Sequence, residues 1–235
     1  MPTGMRMRPV CEGINPLRDI VEGASHFQQA IAPEAREFFG SLAAGQAPKA
    51  LFVTCSDSRI NPFLITDTNP GDLFIMRNAG HIVPPYGAAK GGAEATVEFA
   101  VVALGVEDII VCGHSHCGAI RGLMNPEALE QMPAVRQWLS LAEPTRAIVA
   151  ENFADLPERE RTEAMTQVHV LTQMANLRTL PPVAARLAKG KLRLHGWVYH
   201  IGSSEILVWN RDTHRFGRID GGEPLHFCPE LRLEA

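Results

Sequence analysis

Two short apolar runs, each ending on soft metal-ligand residues, set the strongest limit on how this chain can fold. Ala50-Leu51-Phe52-Val53-Thr54 leads into Cys55-Ser56-Asp57-Ser58-Arg59, and the run ending at Val111-Cys112 leads into Gly113-His114-Ser115-His116-Cys117-Gly118. Continuous apolar runs of this length suit strands of a parallel sheet covered on both faces. In open α/β sheets the ligand crevice lies outside the carboxyl ends of the strands, where both motifs would then sit. An imidazole and a thiolate three residues apart have the chemistry and spacing that suit zinc, and Cys55 is the best candidate for a third ligand. Two sulfurs and one nitrogen leave the fourth tetrahedral position to water, as in a catalytic site. Taken singly, either motif is better explained by a buried structural cysteine; the pair at two strand ends is what gives the metal reading its weight.

The remaining pattern agrees with an α/β fold. Residues 15–44 read as a helical arm, with Pro33 opening a second helix at its first turn. Lys49–Thr54, Asp72–Met76 and Asp108–Cys112 read as the first three strands, with a helix over Ala93–Leu104 between the last two. That strand, helix, strand spacing requires a right-handed crossover and parallel pairing. Gly118–Leu123 reads as a short helix starting at Cys117, and residues 127–176 as helix-rich, with breaks near Pro133, Pro144 and Pro157. These helices are expected only to pack and to cover surface. A further helix runs from Pro181 to the Lys189-Gly190 stop. Leu192–Ile201 and Glu205–Trp209, joined by Gly202-Ser203-Ser204, read as a strand pair extending the sheet, and the tail after Asn210 as loop. One domain of 235 residues is expected, with residues 1–14 flexible, 15–44 as arm, 45–209 as core and 210–235 as tail.

A formal net charge of −4 and the lack of any basic run argue against nucleic acid as a partner. Arg6 and Arg8 precede a stretch too polar for a signal sequence, and no segment has the length of a membrane span, so the cytoplasm is the expected location. Five cysteines, an odd number, argue for reduced thiols rather than a disulfide framework. Cys11, Cys112 and Cys228 are left over after the proposed ligands and read as structural.

Asp57 and Arg59 lie two and four residues past Cys55. A carboxylate there can accept a hydrogen bond from a metal-bound water, and a guanidinium can grip it in a fork and keep it off the metal.

On Cys55-Ser56-Asp57-Ser58-Arg59, Arg77-Asn78-Ala79-Gly80 and Gly113-His114-Ser115-His116-Cys117-Gly118 the sequence resembles the β-class carbonic anhydrases, over roughly residues 15–209. The resemblance implies reversible hydration of carbon dioxide through a zinc-bound hydroxide. It makes Cys55, His114 and Cys117 the ligands of one Zn2+ per subunit, and Asp57 with Arg59 the dyad that leaves the fourth position to water. It also implies a homodimer or larger assembly, in which Gln46 reaches substrate across the interface. Phe74, Ala79 and Phe99 match apolar pocket positions, and the Gly118 amide matches a group adjoining bound substrate. His81, His116 and Tyr86 are candidate proton relays. Some bacterial relatives hold an inhibitory bicarbonate with a tryptophan, an arginine and a tyrosine. Arg77 and Tyr199 match, but Phe52 stands at the tryptophan position, so no tight switch of that kind is expected. Two rival readings remain: a carbonyl sulfide or carbon disulfide hydrolase on the same scaffold, and a non-catalytic zinc-binding protein. A zinc nucleobase deaminase lacks its signature here.

Overall fold

The computed structural model describes residues 16–89 and 91–233. The expected flexible stretch 1–14, and Cys11 within it, lie outside the described residues. By contacts the chain divides into two compact units after Gln46.

In the first unit, α1 (Pro16–His26) continues through a wide turn over Phe27–Ile31, and α2 spans Arg36–Leu42. Within this unit Phe27 and Phe39 meet edge to face at 5.4 Å. Leu17, Ile20 and Val21 are exposed on α1.

The second unit is built on a six-stranded sheet in the order β2-β1-β3-β4-β5-β6. The strands are β1 (Ala50–Cys55), β2 (Leu73–Asn78), β3 (Asp108–His114), β4 (Arg193–His200), β5 (Glu205–Asn210) and β6 (Arg215–Arg218). The first four pair in parallel and the last two antiparallel. Every residue of β1 is buried, which explains its unbroken apolar run. The sheet thus has the mostly parallel order expected, with one correction: Arg215–Arg218, expected as loop, is a sixth strand on the outer edge. A four-residue strand containing Gly217 carries too little alternation to stand out in a sequence.

Helices flank the sheet: α3 (Pro62–Thr66), α4 (Gly92–Glu98), α5 (Gly118–Met124), α6 (Pro133–Leu139), α7 (Glu143–Asn152), α8 (Glu158–Thr179) and α9 (Pro181–Ala188). α4 runs on through a π turn over Phe99–Ala103. The 22-residue α8 packs across β3 and β4. A Cβ on Gly113 would come within 2.8 Å of Val170, and one on Gly196 within 2.8 Å of Met174, so glycine at these two strand positions is what admits the helix so near the sheet. No helix of the described residues is long and apolar enough to cross a membrane.

Candidate metal centre

The register brings the two sequence motifs together. Thr54 lies opposite Cys112, so β1 ends at Cys55 while β3 runs on to His114 at the same carboxyl edge of the sheet. The Thr54 hydroxyl donates to Cys112 O at 2.9 Å and ties the two strand ends. Cys117 then caps the start of α5. As a result Cys55 Sγ, Cys117 Sγ and a His114 ring nitrogen lie within 4.8 Å of one another, all three residues buried. The two sulfurs are 3.9 Å apart.

The histidine is set in one tautomer. Nδ1 lies 2.9 Å from Ser115 O, and a carbonyl only accepts, so the proton is on Nδ1 and the Nε2 lone pair faces the cluster. That Nε2 is buried without a hydrogen-bond partner. Orphaned buried polar atoms are rare, and one aimed at two thiols is what a metal ligand looks like before its ion is added. The donor set, two sulfurs and one imidazole, fits zinc.

The thiols differ in acidity. Hydrogen bonding from Cys117 outweighs burial, and with help from His114, Gly80 and Asp57 it lowers the Cys55 pKa to about 4. The Gly80 N–H points at Cys55 Sγ from 3.4 Å. Cys117, next to that thiolate and buried, holds its proton far more tightly. The pair therefore releases one proton readily and the second reluctantly, until a cation draws off both. By contrast burial pushes the Cys112 thiol up to about 12 and Cys228 up to about 11, so neither resembles a ligand.

Asp57 and Arg59 form the expected fork. Arg59 Nε donates to Oδ1 at 2.9 Å and Nη2 to Oδ2 at 2.7 Å, while the Arg59 N–H adds a third bond to Oδ1 at 3.0 Å. The Arg59 side chain is the main reason that the Asp57 carboxyl sits well below its usual range. Asp57 Oδ2 is 4.0 Å from His114 Nε2, so the gripped carboxylate faces the donor cluster.

Several supports were not legible in the sequence. Arg77 donates from Nε to Cys55 O at 2.9 Å and from Nη2 to Asp57 O at 2.7 Å, clamping the backbone of the ligand loop. Behind that loop, α8 does more than pack. His169 Nε2 donates to Gly80 O at 2.8 Å, Gln173 accepts from Val83 N–H and Asn176 donates to Val83 O, both at 2.9 Å. Asn78 closes the same turn through both Ile82 N–H and Ile82 O. The one available signal was the spacing of 169, 173 and 176, a polar stripe along a helix. Gly80 itself has φ of +79°, and a Cβ there would lie 2.8 Å from Ala119 Cβ, so the turn admits only glycine.

His169 gives this support a pH signature. Burial holds its pKa down to about 4, against an ordinary value near 6.5. The unfolded chain therefore takes up the proton first, and the stability linked to neutral His169 is complete above pH ~6.5 and lost as pH falls to ~4. Urea titrations at the two pH values should show the wild type losing about 3 kcal/mol more than His169→Gln, whose amide can still bond Gly80 O. Equal losses would mean that His169 does not titrate in this window.

None of the other candidates is one of the three donors. Phe74 and Phe99 meet at 5.9 Å, but Phe74 pairs with Leu51, four residues before Cys55, about 13 Å back along the strand. Ala79 is exposed, and its carbonyl accepts from Trp138 Nε1 at 2.8 Å. Gly118 opens α5 with free space beside it. Gln46 ends the first unit and is exposed. Of the candidate relays, His81 is fully buried against His169, with its pKa pushed well down by that burial. His116 and Tyr86 are exposed. Phe52 is sealed in the core against Trp197, and two Arg77 donors, its Nε and an Nη2, are engaged with the ligand loop.

Comparison with known proteins adds the context. Residues 50–206 match the family model described as carbonic anhydrase. A carbonic anhydrase of Synechococcus elongatus is 46% identical over 205 residues, covering 87% of this chain and 75% of the relative. One of Pseudomonas aeruginosa is 47% identical over 216 residues, covering 88% of this chain and 98% of the relative. Among solved structures, the β-carbonic anhydrase CcaA superposes with a TM-score of 0.84 at 44% identity, over 86% of this chain and 98% of that one. One of two tetrameric β-carbonic anhydrases from Sordaria macrospora gives 0.74 at 31% identity, over 83% and 97%.

Proposed function

Since the chain belongs to the β-class carbonic anhydrases, zinc-dependent enzymes of reversible carbon dioxide hydration, we propose that it forms bicarbonate and a proton at the carboxyl edge of its sheet through the residues that follow. Cys55, His114 and Cys117 hold one zinc ion per subunit, which when bound lowers the pKa of water from about 15.7 to about 7. The observation that carries this reading is the buried, partnerless His114 Nε2 facing two sulfurs, one of them already acidic.

Asp57 is ionised at neutral pH and held by Arg59 on both oxygens, so it accepts a hydrogen bond from the reacting water and orients the water's lone pair toward substrate. The Gly118 N–H meets an oxygen of carbon dioxide as negative charge develops there. Gln46 does the same from a second copy of the chain, and the Phe74 and Phe99 pair lines the apolar approach of that neighbouring site. The exposed apolar side chains of α1 and Phe99 support a homodimer or larger homo-oligomer, as does the tetrameric relative. His116, exposed beside the ligand loop, hands the proton to solvent. Free thiols at all four described cysteines accord with a reducing, cytoplasmic setting.

Stopped-flow measurement of the zinc-loaded protein from pH 6.5 to 9 tests the proposal. Hydration should rise with pH about a midpoint near 7. Absence of carbon dioxide hydration together with turnover of carbonyl sulfide would move the chain to the sulfur-analogue reading.

A further inference from the structure

A second group of metal-ligating side chains lies apart from the cysteine cluster. Glu163 on α8, His200 at the end of β4 and His226 in the carboxy-terminal segment each offer a ligand atom within 4.8 Å of the others. They share a cleft of about 950 Å³ with His116 and Gly118. His200 is 1% exposed, and neither of its ring nitrogens has a hydrogen-bond partner. Glu163 Oε2 and Glu205 Oε2 are buried and partnerless in the same way.

The distances show what is missing. Glu163 Oε2 lies 3.7 Å from His200 Nε2, Glu163 Oε1 lies 3.9 Å from His226 Nδ1, and His226 Nε2 lies 3.7 Å from Glu205 Oε2. These are too long for hydrogen bonds. The first two are close to the roughly 3.3–3.5 Å that separates two donors on a tetrahedral ion with bonds of about 2.0–2.1 Å, while the third involves the opposite ring nitrogen of His226 and places Glu205 outside the donor set. Arg218 Nε reaches Glu205 only at its other oxygen, Oε1, from 3.9 Å, which leaves Oε2 toward His226.

We propose that Glu163, His200 and His226 bind a second divalent transition-metal ion of the zinc class, with Glu205 facing the other ring nitrogen of His226. Nitrogen and oxygen donors without sulfur set this site apart from the first. The two imidazoles stack at 3.6 Å and 5°, so a single ion cannot lie in both ring planes. His226 is the ring that turns, since it sits outside regular structure and is held by a 3.1 Å contact with the Ser203 hydroxyl. Once bound, the ion ties the carboxy-terminal segment to β4 and α8.

Cobalt titration of the metal-free, full-length protein tests this. The first equivalent should give intense near-ultraviolet thiolate-to-cobalt charge transfer, and the second only weak visible d–d bands. His226→Gln and Glu163→Gln should each weaken the second equivalent by at least about 100-fold, more than the 10–100-fold that loss of a supporting partner costs. The first charge-transfer band, unchanged, shows that each variant is folded. A wild type that takes up only one equivalent overturns the site, as does a second equivalent that persists in both variants.

Discussion

Cys55→Ser should yield a folded protein that retains no zinc and hydrates carbon dioxide at least about four orders of magnitude more slowly than the wild type. Serine keeps the volume but replaces the softest and most acidic donor of the cluster with a hydroxyl that stays protonated at neutral pH. The thiol at this position is already lowered to about 4 before any ion arrives, by Cys117 above all. Cys112→Ser is the matched control. Cys112 is buried as well, but its thiol is pushed up to about 12, so that variant should keep its zinc and its rate to within a few-fold. Metal analysis, near-ultraviolet circular dichroism and stopped-flow rates separate the outcomes. Zinc retained at full occupancy in Cys55→Ser would remove Cys55 from the ligand set.

Arg59→Ala should lower kcat by about 10²–10³ while leaving zinc content intact, an effect of the size seen when one fixed electrostatic partner is lost. Without the fork only the backbone N–H of residue 59 still holds Oδ1, and Oδ2, left free, starts only 4.0 Å from His114 Nε2. The carboxylate then turns to the fourth position and excludes water. Lysine at position 59 should rescue little, because a point charge cannot engage both oxygens in plane. The pH profile of the wild type follows from the same pair. The Asp57 pKa is depressed, so the stability from its pairing is present above the ordinary carboxylate range near 4 and lost only as pH falls through the lower folded value. No break from this dyad should appear between pH 6 and 9. Full kcat in Arg59→Ala would show that the fork is only structural.

The sequence made the sheet legible because β1 and β3 are buried on both faces and end on chemically distinctive residues. What it hid are contacts between parts distant in the chain. α8 carries a weak apolar stripe because it is buried on most sides, so its polar side chains read as surface when they in fact reach Gly80 and Val83. The Arg77 motif could be matched to the family, but its grip on Cys55 O and Asp57 O depends on β2 lying beside β1, which no spacing reveals. The second cluster was missed for the same reason: Glu163, His200 and His226 come from a helix, a strand end and the tail expected as loop. Phe74 and Phe99, matched to a pocket by resemblance alone, come from a strand and a helix that the fold brings within 5.9 Å of each other.

The turn over residues 78–83 is fixed by six side-chain hydrogen bonds, two made by Asn78 and one each by Trp138, His169, Gln173 and Asn176, and none of them involves an ion. The backbone that points the Gly80 amide at Cys55 is thus in place as soon as the chain has folded. On the proposed ligand assignment, the ion can therefore enter after the chain has folded rather than during folding.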